Sequence, residues 1–291
     1  MDTQELLKRV RRIELKTRKL SNNIFAGEYH SAFKGRGMSF SEVREYAVGD
    51  EVRSIDWNVT ARLGKPYVKV FEEERELTVM LVIDLSGSSL FGTQQRSLRE
   101  LATEIAATLA FSAAQNNDKV GAICVTDKVE KFIPPKKGRK HILYIIRELL
   151  YFQASSKHTH LDAALESLAR TIKQRCIAFV LSDFIDVSQS ARPLRIAARK
   201  HELIALRLYD ERMQTLPDVG LMKVMDAETG ALRYLDTADA AARMAQAEWW
   251  QGECARCTAL FNKCKVKHVA INTAGDYVPA LRKLFTARTP H

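Results

Sequence analysis

The sequence predicts an α/β protein whose core is a doubly wound, mostly parallel sheet flanked by helices. Three observations predict it. From about Leu77 onward, aliphatic runs the length of strands alternate with stretches of helical length. The first of these runs, Leu77–Ile83, is apolar almost throughout, as a strand covered on both faces should be. Polar, chemistry-bearing residues then fall directly after such runs, at the edge where open parallel sheets bind their ligands.

Taken in order, residues 1–75 read as an N-terminal basic helix followed by a loop- and strand-rich segment. Residues 76–291 read as the α/β domain, with a β-hairpin insertion at about 219–236. Asp2-x-x-Glu5 has the form of a capping box, and Leu6, Val10, Ile13, Leu20 and Ile24 share one helical stripe. Lys8, Arg9, Arg11, Arg12, Lys16, Arg18 and Lys19 crowd the other faces. The helix is therefore expected to pack on its own domain with a solvated basic face; a membrane surface or an acidic partner is the alternative. Between Gly27 and Glu76, short apolar runs are broken by Gly35, Gly37, Gly49 and Gly64. Arg44, Asp50, Arg53, Asp56 and Trp57 are expected there as internal scaffolding, salt bridges and a buried Trp tying the N-terminal segment to the sheet, with partner contact as the alternative.

In the α/β domain, Leu77–Ile83 is the first strand and about Gln95–Gln115 a helix. Lys119–Val125 and Val129–Ile133 are strands around a tight Asp127-Lys128 turn, which adds an antiparallel edge strand. Helices follow at about Arg139–Phe152 and Leu161–Lys173, then strand Cys176–Leu181, helix Ser190–Lys200 and strand Leu203–Leu208. Met222–Met225 and Leu232–Leu235 flank Asp226-Ala-Glu-Thr-Gly230, a hairpin with a longer loop whose candidate pairing partners are strands from residues 30–75. A long helix from about Ala238 to Lys263, a strand Val266–Asn272 and a short helix near Pro279–Phe285 complete the pattern.

Composition narrows the function classes. A hydrophobic share of 46% over 291 residues argues against disorder. No stretch approaches the roughly 20 apolar residues of a membrane span, and Met1–Lys19 lacks the apolar core of a signal peptide. A cytoplasmic protein is expected. Five cysteines, an odd and low count, argue for reduced thiols. The net charge of +10 suggests an acidic partner: nucleic acid, an anionic membrane face or an acidic protein.

The most informative residues are Asp84-Leu85-Ser86-Gly87-Ser88, directly after the first strand. They offer one carboxylate and two hydroxyls from a single tight loop. Thr159 precedes the Leu161 helix, and Asp183 follows another buried strand. On a doubly wound sheet these loops share one edge, so the oxygens of Asp84, Ser86, Ser88, Thr159 and Asp183 are candidates to surround one cation. Hard oxygen ligands of low formal charge suit Mg²⁺ or Mn²⁺, which keep several waters. A carboxylate from another protein can take a position left open.

Asp-x-Ser-x-Ser with a later Thr and a later Asp resembles the metal-ion-dependent adhesion site of von Willebrand factor A domains, over roughly residues 77–210. Arg36-Gly37-Met-Ser-Phe-Ser-Glu42, Arg44-Glu45-Tyr46, Gly49-Asp50, Arg53-Ser-Ile-Asp-Trp57, Ala61-Arg62 and Phe71-Glu-Glu-Glu-Arg75 resemble the signature of the domain of unknown function 58 family. In that family the signature runs straight into the Asp-x-Ser-x-Ser strand, as here. The resemblance implies a von Willebrand factor A-like fold and a non-enzymatic, Mg²⁺-dependent interaction module. Members are typically encoded beside MoxR-type AAA+ ATPases, so the implied role is adaptor or co-chaperone of such an ATPase. Its task would be assembly, activation or metal insertion of a target complex.

Other signals have plainer readings. His158 and His160 flank Thr159, and are expected to rim the crevice and touch a partner rather than bind zinc. Cys254-x-x-Cys257 with Cys264 and His268 has a superficial zinc look. However, Trp250, Cys254, Cys257, Phe261 and Cys264 share one helical face, as a core stripe does, and helical geometry spreads the thiols too far for one tetrahedral ion. Lys136, Lys137, Arg139 and Lys140 form a basic loop without the interleaved aromatics of base stacking, so a solvated loop or a protein contact is favoured over nucleic acid. No P-loop and no Gly-x-Ser-x-Gly elbow occurs. Two alternatives stay open. One is a Mg²⁺-dependent phosphohydrolase with Asp84 as nucleophile, although Ser86 stands where such enzymes need a second carboxylate. The other is a nucleic-acid binder using the basic surface.

Overall fold

The computed structural model describes residues 8, 10–17, 39–72, 77–93 and 96–286. The Asp2-x-x-Glu5 capping box, the stripe residues Leu6, Leu20 and Ile24, and the signature residues Arg36, Gly37, Met38 and 73–75 lie outside them. Chain contacts divide the protein into two units, Phe33–Leu77 and the combination of Met1–Ala32 with Thr78–His291.

In the first unit, β1 (Ser39–Glu45) pairs antiparallel with β2 (Tyr67–Glu72), with a register shift between Phe40 and Glu42. Polar side chains fix the connection. Arg44 donates through Nη1 and Nη2 to Asp50 at 2.8 and 2.7 Å, and Asp50 also accepts the Ala47 N–H at 2.8 Å. Asp56 caps α1 (Trp57–Leu63) by accepting the Asn58 and Val59 N–H groups, and Gly64 ends the helix at φ 71°. Arg44, Asp50 and Asp56 thus fix the backbone within this unit. The expected buried Trp is not observed: Trp57 is 66% exposed. The reason is local, because α1 is a short helix with no buried residue and so has no core for an indole to enter.

The second unit is built on a six-stranded sheet in the order β10-β7-β6-β3-β4-β5. Its strands are β3 (Thr78–Asp84), β4 (Lys119–Val125), β5 (Val129–Lys136), β6 (Ile177–Ser182), β7 (Glu202–Tyr209) and β10 (Lys267–Asn272). All neighbours are parallel except β5, which runs antiparallel at the edge. β5 continues through Pro134-Pro135 to Lys136, past the expected end at Ile133. An edge strand tolerates proline because its outer side owes no ladder hydrogen bond. The prolines coincide with a register shift against β4, where Gly121 sits so close that a Cβ would meet the Ile133 carbonyl oxygen at 2.8 Å.

Alternation along β3 assigns the two faces. Met80 and Val82 join a cluster with Leu161, Leu165 and Leu168 of α4 (Leu161–Thr171), Leu194 and Ala197 of α5 (Ala191–Lys200), and Cys257, Phe261 and Cys264 of α7 (Ala240–Cys264). The opposite face takes α2 (Leu98–Gln115), α3 (Arg139–Tyr151) and α8 (Val278–Thr286), with Phe179 edge-on to Phe285. α2 begins at Leu98 because Ser97 and Glu100 close a capping box, each side chain taking the other's backbone N–H. The stripe on α7 buries Trp250, Cys257, Phe261 and Cys264, while Cys254 is only half-buried. The helical residues 10–17 lie against this unit: Glu14 accepts from Arg139 Nε at 2.6 Å, Lys16 pairs with Glu104 at 2.8 Å, and Arg11 and Arg12 are exposed. A short α6 (Glu211–Gln214) follows β7.

The hairpin strands β8 (Leu221–Met225) and β9 (Leu232–Asp236) form a two-stranded sheet of their own. Among the described residues the hairpin pairs with no strand from residues 30–75; β1 and β2 pair with each other instead. Register is fixed locally by the hairpin's turn, which leaves it free of any larger sheet. Among the described residues no helix is long and apolar enough to cross a membrane.

Candidate metal centre

From β3 the chain winds through α2 to β4 on one side; from β6 it winds through α5 to β7 on the other. β3 and β6 are adjacent, so the loops leaving their carboxyl ends diverge and open a crevice at the switch point of the sheet. Asp84 is the last residue of β3, and Asp183 follows Ser182, the last residue of β6.

Backbone hydrogen bonds shape the first loop. The Leu85 N–H donates to the Val125 carbonyl at 2.8 Å, and the Ser89 N–H and hydroxyl both donate to the Ser86 carbonyl. The Ser86 N–H donates to Asp84 Oδ1 at 2.9 Å, and the Ser86 and Ser88 hydroxyls lie 3.2 Å apart. Thr159 arrives on a second loop, pinned by Gly87 N–H to Lys157 O and His160 N–H to Thr126 O, each 2.8 Å. Asp183 stands on a sharp reversal in which Phe184 and Asp186 take left-handed φ values of 54° and 56°. Ser88, Thr159 and Asp183 line a crevice of about 440 Å³. Asp84, Ser88 and Asp183 share a smaller recess beside it. The five residues singled out by sequence are thus gathered at one place, Ser86 through its contact with Ser88.

The electrostatics are unbalanced. Asp84 and Asp183 are 4% and 6% exposed. Burial, reinforced by the neighbouring Asp183, pushes the Asp84 carboxyl up to about 6. Burial pushes Asp183 upward as well, outweighing the Ser88 hydroxyl and the Ile185 N–H, which act to lower it, with the Glu228 charge a smaller contribution. Among the described residues no cationic side chain offsets either one. Asp84 is partly satisfied, since its Oδ2 accepts the Ser182 hydroxyl at 2.7 Å. Asp183 Oδ1 accepts the Ile185 N–H at 3.2 Å, but its buried Oδ2 has no hydrogen-bond partner. An orphaned carboxylate oxygen beside a second buried carboxylate and three hydroxyls fits a hard divalent cation, which would supply the missing positive charge.

The remaining candidates separate into two places. His160 lines the crevice, and His158 Nδ1 lies 3.6 Å from Glu228. Lys136 pairs with Val120 at the start of β4, whereas the crevice is at the end of β4, so Lys136, Lys137, Arg139 and Lys140 sit at the opposite end of the sheet. No single contact joins them to the histidines. Three residues at the site were not anticipated. Ser182 orients Asp84, and as the polar last residue of a buried strand it gave a faint signal. Glu228 and Trp249 line the crevice from the hairpin loop and α7, and nothing in their local sequence marks them.

Comparison with known proteins places the chain. A family model described as "Protein of unknown function DUF58" matches residues 42–253. The chain belongs to the DUF58 family. The match spans most of both units of this DUF58 chain, and takes in all five candidate ligands. The uncharacterized protein Rv1480 of Mycobacterium tuberculosis (strain ATCC 25618 / H37Rv) is 32% identical over 235 residues, covering 80% of this DUF58 chain and 74% of that protein. Among solved structures, the conserved hypothetical protein BatB from Bacteroides thetaiotaomicron aligns with a TM-score of 0.47 at 16% identity, over 72% of this chain and 97% of that one. The SpRpn10 VWA domain aligns at 0.38 and 11%, over 71% and 94%.

Proposed function

We propose that this protein is a non-enzymatic interaction module whose crevice holds Mg²⁺ or Mn²⁺ and uses it to grip a carboxylate of a partner protein. Asp84, Ser86, Ser88, Thr159 and Asp183 would hold the ion. The observation that carries this reading is the orphaned Asp183 Oδ2 beside buried Asp84, with no cationic side chain among the described residues to balance them, at the edge of an open crevice. A bound divalent ion would attract an acidic side chain from outside, and His158 and His160 stand exposed at the rim to contact it. The resemblance to the MoxR-associated family suggests the partner, an AAA+ ATPase of that type, for which the chain would serve as adaptor or co-chaperone.

Hydrolytic chemistry is poorly supported by the same geometry. A phosphohydrolase with Asp84 as phosphoryl acceptor would need a second carboxylate two residues on, where this chain carries Ser86. Ser86 and Ser88 hydrogen-bond each other, and among the described residues no histidine bonds to either. A nucleic-acid role would fall to the basic N-terminal helix and the Lys136 loop, where Arg139 is paired with Glu14.

The test is a pull-down from native lysate with the tagged full chain in Mg²⁺ and in EDTA, with Asp84→Ala alongside. Recovery of an AAA+ ATPase only in Mg²⁺ and only with Asp84 intact is expected. Recovery under all conditions would remove the metal from the contact, and an eluate dominated by RNA or DNA would replace the reading.

A further inference from the structure

We propose that the basic end of the sheet is a docking surface for an anionic phospholipid membrane, where Arg11, Arg12, Arg139 and Lys140 meet lipid phosphates around an inserted Leu15. This surface is separate from the crevice and needs no metal there.

Two stretches far apart in sequence build it. Residues 10–17 turn Glu14 and Thr17, both buried, toward the domain. At helical spacing this sends Lys8, Arg11, Arg12 and Leu15 outward, and all four are exposed. Glu14 accepts from Arg139 Nε at 2.6 Å, which fixes the helical residues beside the first turn of α3. Arg11 lies one turn before Glu14 on the same flank, so the helix adds its cations to Lys136, Arg139 and Lys140. The charge is not balanced within the protein. Glu14, 10% exposed in its side chain, compensates Arg139. Among the described residues Arg11, Arg12, Lys136 and Lys140 have no acidic partner.

Leu15 decides what these cations face. It is 66% exposed in the middle of the basic helix face. A nucleic acid would call for an aromatic on which a base can stack, and among the described residues none stands exposed with these cations. A lipid leaflet uses both features: its phosphates pair with Arg and Lys, and an aliphatic side chain enters the acyl boundary beneath them. Each Lys or Arg held at an anionic leaflet strengthens binding by about fivefold. The basic end and the crevice occupy opposite ends of the sheet, so docking leaves the crevice facing away from the membrane and open to a protein partner.

The experiment sediments the full chain, in EDTA, with vesicles of phosphatidylcholine alone or of equal parts phosphatidylcholine and phosphatidylglycerol. Wild type is expected to sediment with the anionic vesicles only and to be released by high salt. Arg11→Gln/Arg12→Gln/Lys140→Gln should bind about a hundredfold more weakly. Leu15→Gln, which keeps every charge, should lose about tenfold. All four positions are exposed, and unchanged circular dichroism shows that the variants fold. Wild type that ignores anionic vesicles overturns the inference. So does undiminished binding by the triple variant, which puts the contact elsewhere on the chain. Leu15→Gln matching wild type, or tRNA at equal phosphate stripping the protein from the vesicles, would make the surface a site for polyanions and overturn it too.

Discussion

Asp183 and Asp210 are buried carboxylates that follow neighbouring strands, and their surroundings drive them in opposite directions. Asp183 has one backbone donor and is pushed upward by burial. Burial also acts to raise Asp210, but there it is outweighed. Thr93 donates from its hydroxyl at 2.6 Å and its N–H at 3.0 Å, the Arg212 N–H at 2.9 Å and the Thr273 hydroxyl at 2.7 Å. These bonds hold Asp210 below the ordinary carboxylate range. A carboxyl depressed by folding stabilises above its unfolded value, about 3.9, and loses that contribution as pH falls through the folded value. Asp210→Asn should therefore cost about 2–3 kcal/mol at neutral pH. It should also flatten the loss of stability below about pH 4 in a urea denaturation series. An unchanged acid limb would show that Asp210 is not the clamp it resembles. One donor set is complete without an ion and the other is not, which separates a structural aspartate from a candidate ligand.

Among the elements, what the sequence made legible was whatever depends on local pattern. β4 begins and ends where alternation and turn residues said it should, and α2 differs only in starting at its Ser97 cap. β5 ran longer than expected because proline is penalised in a strand only where its missing N–H is needed, and edge position is a property of the sheet. Trp57 was misplaced for a related reason: whether an indole finds a core depends on what its helix packs against, and α1 buries nothing. The α7 stripe was legible through its 3.6-residue period, apart from half-buried Cys254. That difference supports a prediction. Cys257→Ser places a hydroxyl in the cluster with Phe261 and should cost about 1–3 kcal/mol. Cys254→Ser should stay within about 0.5 kcal/mol. Equal losses for the two in urea titrations, restored by added zinc, would instead indicate a metal site on this helix.

At the scale of the whole molecule, the sheet's switch point concentrates negative charge at one end while Lys136, Lys137 and Lys140 occupy the other. A net charge of +10 therefore says little about the crevice, whose own groups are acidic. Asp84, Ser86, Ser88, Thr159 and Asp183 could be grouped from sequence because strand ends of a parallel sheet converge by topology. Glu228 could not, because the hairpin's landing place is set by packing against Gly87 some 140 residues earlier. The central claim is that this charge is arranged for a divalent cation, and thermal unfolding in EDTA and in Mg²⁺, for wild type and Asp183→Asn, tests it most directly. Removing one of two opposed buried carboxylates relieves about 1.4 kcal/mol for each pKa unit by which they hold each other up. Asp183→Asn should then melt above wild type in EDTA. Wild type alone should gain in Mg²⁺, by about 2.7 kcal/mol at a hundredfold excess over its dissociation constant. A wild-type protein indifferent to Mg²⁺, with Asp183→Asn the less stable of the two in EDTA, would contradict the account.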